Sequence, residues 1–195
     1  MNRRKPLPSG TSEEEQARTI TLEAFADTIV PGEKRSPTDR AVAGAAEGGG
    51  AVVAGAIDLL ELPGAGLAPD LPNFATALNA HAATYAAEQD LALDGSVPPF
   101  VSLSFTHRTE LVRRLTAIAH PERPLWVLLA LFCNMAYDTG AHRHTAEAMA
   151  DGHPGLVAMG FGKPDTDGLW RFSDFTYGRP LATSHPDTTA SGSPA

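Results

Sequence analysis

The stretch Leu125–Tyr137, LWVLLALFCNMAY, is the longest apolar run in the chain, and its reading decides the fold class. From Leu125 to Cys133 there is no charge and no polar amide, and Pro121 and Pro124 stand just ahead, where a starting helix accepts proline. The run predicts a buried central helix with the remaining segments packed around it. A bilayer crossing takes about 20 consecutive apolar residues. This run is broken at Asn134 and closed at Asp138, so no membrane span is expected.

Working towards the N-terminus, Ser102 or Ser104 opens a helix running to Ala119, with Phe105, Leu111, Leu115 and Ile118 inward and Arg108, Arg113 and Arg114 outward. Ahead of it, Asp70 and Pro72 start a helix over Leu71–Gln89. Phe74, Leu78, His81, Ala82 and Tyr85 share one of its faces, which makes His81 a hydrogen-bonded core histidine. Asp39–Leu62 is helical in composition, but Gly48, Gly49 and Gly50 each cost about 1 kcal/mol in a helix, so a break is expected there and the helix over Ala51–Leu60. The three glycines match no phosphate-binding fingerprint; they indicate a hinge or a close approach of helices. The first helix starts at Thr11 or Ser12, presents Ile20, Leu22, Phe25, Ala26 and Ile29, and ends at Pro31-Gly32.

These segments predict an all-α protein: a single domain of about five helices over 12–150, after a disordered start at 1–11. Residues 151–183 follow as a long irregular aromatic segment, and 184–195 as a flexible tail. The aromatic segment carries too many large apolar groups to be free in solution. It either folds back on its own helices or offers a surface to another chain.

The net charge is −8, and no Lys or Arg lies between Arg40 and Arg108. Such a surface repels phosphate backbones, so nucleic acid is not an expected partner. Cys133, the single cysteine, has no internal disulfide partner and reads as a small buried hydrophobe. Arg3-Arg4 is followed by KPLPSG and then TSEEEQ, with no apolar export segment, which places the expected location in the cytoplasm.

The densest polar cluster follows the central helix. Were that helix to continue through Gly140, Asp138 and His142 would stand four residues apart on one face, with Tyr137 and His144 close by and His153 further along. Asp138, His142, His144 and Tyr137 are the candidate acid-base residues. No paired-cysteine, HExxH or carboxylate-rich pattern accompanies them, and no metal is assigned. The alternative is a polar knot that satisfies helix ends. No nucleophile elbow, P-loop or dinucleotide-binding turn is present in the sequence.

The run LEAFADTIVPGE (Leu22–Glu33), followed by the small-residue stretch AVAGAAEGGGAVVAGAIDLLEL (Ala41–Leu62), resembles the opening of gluconate 2-dehydrogenase subunit 3 type proteins. The C-terminal LWRFSDFTYGRPLATSHP is similar to an actinobacterial branch of such proteins. The resemblance implies a small helical partner of flavin-dependent glucose-methanol-choline oxidoreductases. FAD would belong to the large subunit, and no cofactor or catalytic residue would be carried by this chain. Trp170, Phe172, Phe175, Tyr177 and Arg179 are then the candidate partner contacts, since aromatics and arginine dominate interface energetics. Two other classes stay open: a small helical enzyme of secondary metabolism working through Asp138, His142, His144 and Tyr137, and a homo-oligomer.

Overall fold

The computed structural model describes residues 9–162, with side chains from residue 13 onward. All regular structure among these residues is helical: α1 (Ser9–Ile29), α2 (Ala56–Glu61), α3 (Leu71–Glu88), α4 (Pro99–Ser102), α5 (Phe105–Leu115), α6 (Arg123–Asp138), α7 (Thr145–Ala150) and α8 (Pro154–Ala158). Two short 3₁₀ turns, Pro63–Ala65 and Ala68–Asp70, lead into α3. No helix among the described residues is long and apolar enough to cross a membrane. The all-α class holds, with more and shorter helices than the sequence suggested. The expected irregular segment from residue 151 begins inside the helical fold, because α8 packs on both α6 and α7.

The centre of the fold is α1 rather than α6. Helix α1 touches α2, α3, α4, α5 and α6. From Thr21 to Thr28 every side chain except the half-buried Glu23 is buried, so this end of the helix has neighbours all round. Phe25 meets the ring of Phe100 on one side and that of Trp126 on the other, both at 6.4 Å between centroids. Phe74 of α3 closes on Trp126 edge-on at 6.2 Å. Asn79 adds a polar tie, donating to Thr21 Oγ1 at 3.1 Å and accepting the Phe100 N–H at 3.1 Å, so that one amide joins α1, α3 and α4.

Helix α6, the expected buried core, is buried on one side only. Trp126, Leu129, Cys133 and Ala136 face inward. Leu125, Val127, Leu128 and Leu131 are exposed. Burial pushes the Cys133 thiol up to about 12, consistent with its reading as a hydrophobe.

The chain between α1 and α2 is not helical until Ala56, against the expectation for Ala51–Leu60. The glycines explain it. A Cβ on Gly50 would strike the carbonyl of Val30 and the backbone of Gly32, so this segment presses backbone to backbone against the end of α1. The crossing is sealed by Glu33 N–H to Gly48 O at 2.8 Å and Ala51 N–H to Val30 O at 3.0 Å. Glycine is needed because two backbones meet there, not because two helices cross.

Three buried or half-buried side chains hold this long loop. Asp27, 1% exposed, accepts the N–H groups of Gly32 at 3.2 Å and Ala43 at 2.8 Å. Asp39 accepts those of Ala41 and Val42, both at 3.1 Å, and Arg35 at 2.7 Å, while Arg35 also grips Glu23 of α1. Arg108, expected on the outer face of its helix, is 3% exposed. Its guanidinium donates to the carbonyls of Ala41 at 2.5 Å, Val101 at 2.6 Å, Leu103 at 3.0 Å and Arg40 at 3.1 Å. Helix α4 is a single turn whose last carbonyls have no partners within the helix. Arg108 serves the carbonyls of Val101 and Leu103 at that end and leans on the Phe100 ring at 5.9 Å.

The other boundary differences have local causes. Ser104 caps α5, its Oγ accepting the His107 N–H at 3.4 Å, whereas Asp70 precedes α3 without making a side-chain cap. Helix α5 stops at Leu115, so Ile118 loses its helical phase and stands 92% exposed.

Removing the Arg108 guanidinium leaves four carbonyls and the Asp27 carboxylate short of a partner. Arg108→Leu is expected to destabilise the fold by about 3–5 kcal/mol, read from the urea midpoint. Arg108→Lys should recover little of this, because a point charge cannot reproduce the fork. A pH effect is expected at Asp39. Burial works against its carboxylate, yet the hydrogen bonds from Arg35 and the Val42 N–H outweigh it and hold the carboxyl at about 2, below the ordinary 3.8. A depressed folded-state value stabilises the protein above pH 3.8, and the contribution is lost as the pH falls towards 2. Asp39→Asn should therefore lower the melting temperature at neutral pH and flatten its acid limb.

Candidate functional site

The residues expected to carry chemistry lie where α6 ends. The helix closes at Asp138, and Gly140 takes φ +58°, a left-handed turn that carries the chain away from the helical path. Asp138 and His142 thus do not share a helical face. Asp138 accepts the Asn134 amide at 2.7 Å through Oδ2, while its Oδ1 is buried without a hydrogen-bond partner. His144 is exposed and precedes α7 without capping it. Tyr137 is half-buried; its carbonyl lies so close under Gly155 that any Cβ there would collide with it.

His142 crosses to the α2 side. Its ring faces Gly55, where a Cβ would strike Nε2, and stands 6.4 Å from the ring of His153. Its Nδ1 is buried and unpartnered. Burial pulls the imidazole below its ordinary value, and the nearby Asp58 carboxylate works in the opposite direction. His153 is 4% exposed and its role is structural. Its Nε2–H donates to Ala54 O at 3.1 Å, and its Nδ1 accepts the Leu156 N–H at 3.4 Å as the cap of α8. Beside this pair is an open cleft of about 510 Å³ lined by Asp58, His142, Arg143, Asp151 and His153, with Arg143 paired to Asp151. Of these side chains His153 satisfies a helix end, while His142 Nδ1 and Asp138 Oδ1 are left over.

A second constellation sits at the other end of α6. Glu122 precedes the helix, and its Oε2 accepts His81 Nε2–H at 2.7 Å and the indole N–H of the buried Trp126 at 3.1 Å. Those two hydrogen bonds, His81 first, hold the carboxyl below the ordinary range. His120 accepts the Glu122 backbone N–H through Nδ1 at 3.2 Å, and its ring meets that of His81 edge-on at 5.7 Å. His81 is hydrogen-bonded as expected, but half-exposed rather than in the core. Its link to Glu122 spans 41 residues, so no local spacing signals it. An open cleft of about 320 Å³, lined by Asn73, Phe74, Ala77, Leu125 and Trp126, lies alongside.

The third feature is the outward face of α6. Leu128 and Leu131 form its centre, flanked by Leu125 and Val127, and Leu125 and Leu131 are each about half exposed, at 48% and 50%. Helix α8, packed on α6, carries an exposed Val157 of its own. An isolated surface leucine needs no explanation; a helix apolar on both sides does. The expected contacts Trp170, Phe172, Phe175, Tyr177 and Arg179 lie outside the described residues.

The chain belongs to a family of unknown function, DUF5987, which matches residues 16–195. No curated protein and no solved structure matches it.

The placement of His142 is testable through Gly55, which has φ +90°. Gly55→Ala should cost about 1–3 kcal/mol in thermal or urea unfolding, part strain and part collision with the imidazole. Adding His142→Ala should return the collision part. Gly64→Ala, with nothing near its Cβ, should change stability by less than about 0.5 kcal/mol.

Proposed function

We propose that this member of the DUF5987 family is a non-catalytic small subunit that binds and stabilises a flavin-dependent oxidoreductase of the glucose-methanol-choline type. The observation that carries the reading is the outward face of α6. Leu125, Val127, Leu128 and Leu131 are held towards solvent by a helix whose opposite side is locked into the core through Trp126, Leu129 and Cys133. Side chains of this kind on a rigid helix suit the buried centre of a protein–protein interface. The partner's identity rests on the resemblance of Leu22–Glu33 and Ala41–Leu62 to gluconate 2-dehydrogenase subunit 3 type proteins. FAD would be held by the partner, and this chain would contribute surface and no reacting group.

Asp27, Thr28, Pro31 and Gly32 belong to the resembling stretch, and the structural work of three of them fits a scaffold. Asp27 holds the loop to α1, Thr28 returns its hydroxyl to Ala24 O at 2.7 Å, and Gly32 lies against Gly50. The second reading, a small helical enzyme, has the unpartnered His142 Nδ1 and Asp138 Oδ1 in its favour. The break at Gly140 weakens it.

The test is recovery of the tagged full chain from its native host at low salt, with mass spectrometry of what accompanies it and a visible spectrum. The expected result is a stoichiometric oxidoreductase with flavin absorbance. Leu128→Asp with Leu131→Asp should abolish co-purification while leaving the melting temperature of the isolated chain within a few degrees, because neither side chain is in the core. Trp170→Ala should weaken the complex without lowering that temperature if the C-terminal aromatics also contact the partner. A colourless lone chain overturns the proposal and brings His142 and Asp138 forward.

A further inference from the structure

We infer that His81, His120 and Glu122 form a binding site for a divalent transition-metal ion of the zinc class. One nitrogen from each imidazole and one carboxylate oxygen lie within 4.8 Å of one another. Tetrahedral ligands about 2.0–2.1 Å from a zinc ion are separated by roughly 3.4 Å, so modest side-chain rotation closes the set. The closest pair, His81 Nε2 and Glu122 Oε2, already stands at 2.7 Å across a shared proton. A cation replaces that proton, since both groups ligate in their deprotonated forms.

The surroundings are those of a supported site. The indole N–H of Trp126 donates to the same carboxylate oxygen, and Trp126 is 1% exposed, locked between Phe25 and Phe74. Its ring also stands edge-on to His81 at 5.7 Å. A single immovable side chain therefore orients two of the three donors, the role that outer hydrogen-bond partners play around bound metals. The donors come from α3 and from the turn that opens α6, so a bound ion would clamp two helices that sequence separates. His81 and Glu122 are 31% and 42% exposed along their side chains, which leaves the site open from solvent. Two imidazoles and one carboxylate favour zinc, cobalt or nickel over magnesium or calcium, which prefer all-oxygen sets. Three protein ligands leave a coordination position free for water, and Glu122 also borders the open cleft of about 320 Å³.

The experiment is titration of the metal-stripped full chain with Zn²⁺ by calorimetry, and with Co²⁺ by visible absorption. One equivalent of Zn²⁺ should bind with a Kd tighter than about 10 µM and raise the melting temperature, and Co²⁺ should give ligand-field bands of a four- or five-coordinate site. His120→Ala, in the turn outside the core, and Glu122→Gln should each weaken binding by at least about tenfold and remove the thermal shift. His142→Ala should leave binding unchanged. No binding by the folded wild-type chain overturns the inference. So does binding that survives His120→Ala and Glu122→Gln, or that disappears with His142→Ala, which would place the ion at the other end of α6.

Discussion

The guanidinium of Arg108 is the interaction on which the N-terminal half of the fold depends. It lies in the first turn of α5, where the positive end of the helix dipole disfavours a cation, and burial lowers its pKa further. Four carbonyl partners, the Asp27 and Asp39 carboxylates nearby and the face of Phe100 offset that cost. The result is specificity of path. The long loop after α1 is rich in small residues and has little apolar surface of its own, so its course is set by which backbone groups find polar partners. Asp27, itself raised by burial, and Asp39 serve the N–H groups; Arg108 serves the carbonyls.

The three features around α6 have one origin. Its inner side is consumed by packing against α1 and α2, which leaves both ends and the outer face for other work. At its start, Glu122 and Trp126 reach back to His81 on α3. At its finish, Gly140 turns the chain so that His142 lands beside α2. Between them runs the apolar outer face. A subunit that docks through the middle of this helix would bring both polar ends to the margin of its contact, where small ligands or ions can still reach them.

The helical class was legible because apolar residues recur at intervals of three and four in α1, α3 and α5, and the prolines and glycines around them mark ends with known mechanisms. The inward face of α3 through Phe74, Leu78, Ala82 and Tyr85 follows from spacing alone. What spacing could not reveal was long-range polar work. Arg108 has arginine neighbours on an outward-looking pattern, and nothing local indicates that a carbonyl 67 positions earlier awaits it. The run from Leu125 to Cys133 reads as buried because hydropathy counts apolar residues without asking how many neighbours the fold supplies. The Asp138–His142 pairing failed for a local reason that was visible: glycine at 140 permits the left-handed turn that separates them. The His81–Glu122 contact joins positions that no motif connects.

The distance along the chain between partners also bears on how the protein is made. Ala41 waits for Arg108, and the carbonyl of Ala54 waits for His153, 99 residues later. Contacts this remote slow folding, because loop closure must be met before the contacts reward it. On the ribosome, the first half of the chain emerges with the Arg40 and Ala41 carbonyls left to water, and the Asp27 carboxylate held only by the Gly32 and Ala43 N–H groups, until α5 has been synthesised and released from the exit tunnel. The path of the loop after α1 is therefore fixed late in synthesis, once α5 is free to fold against it.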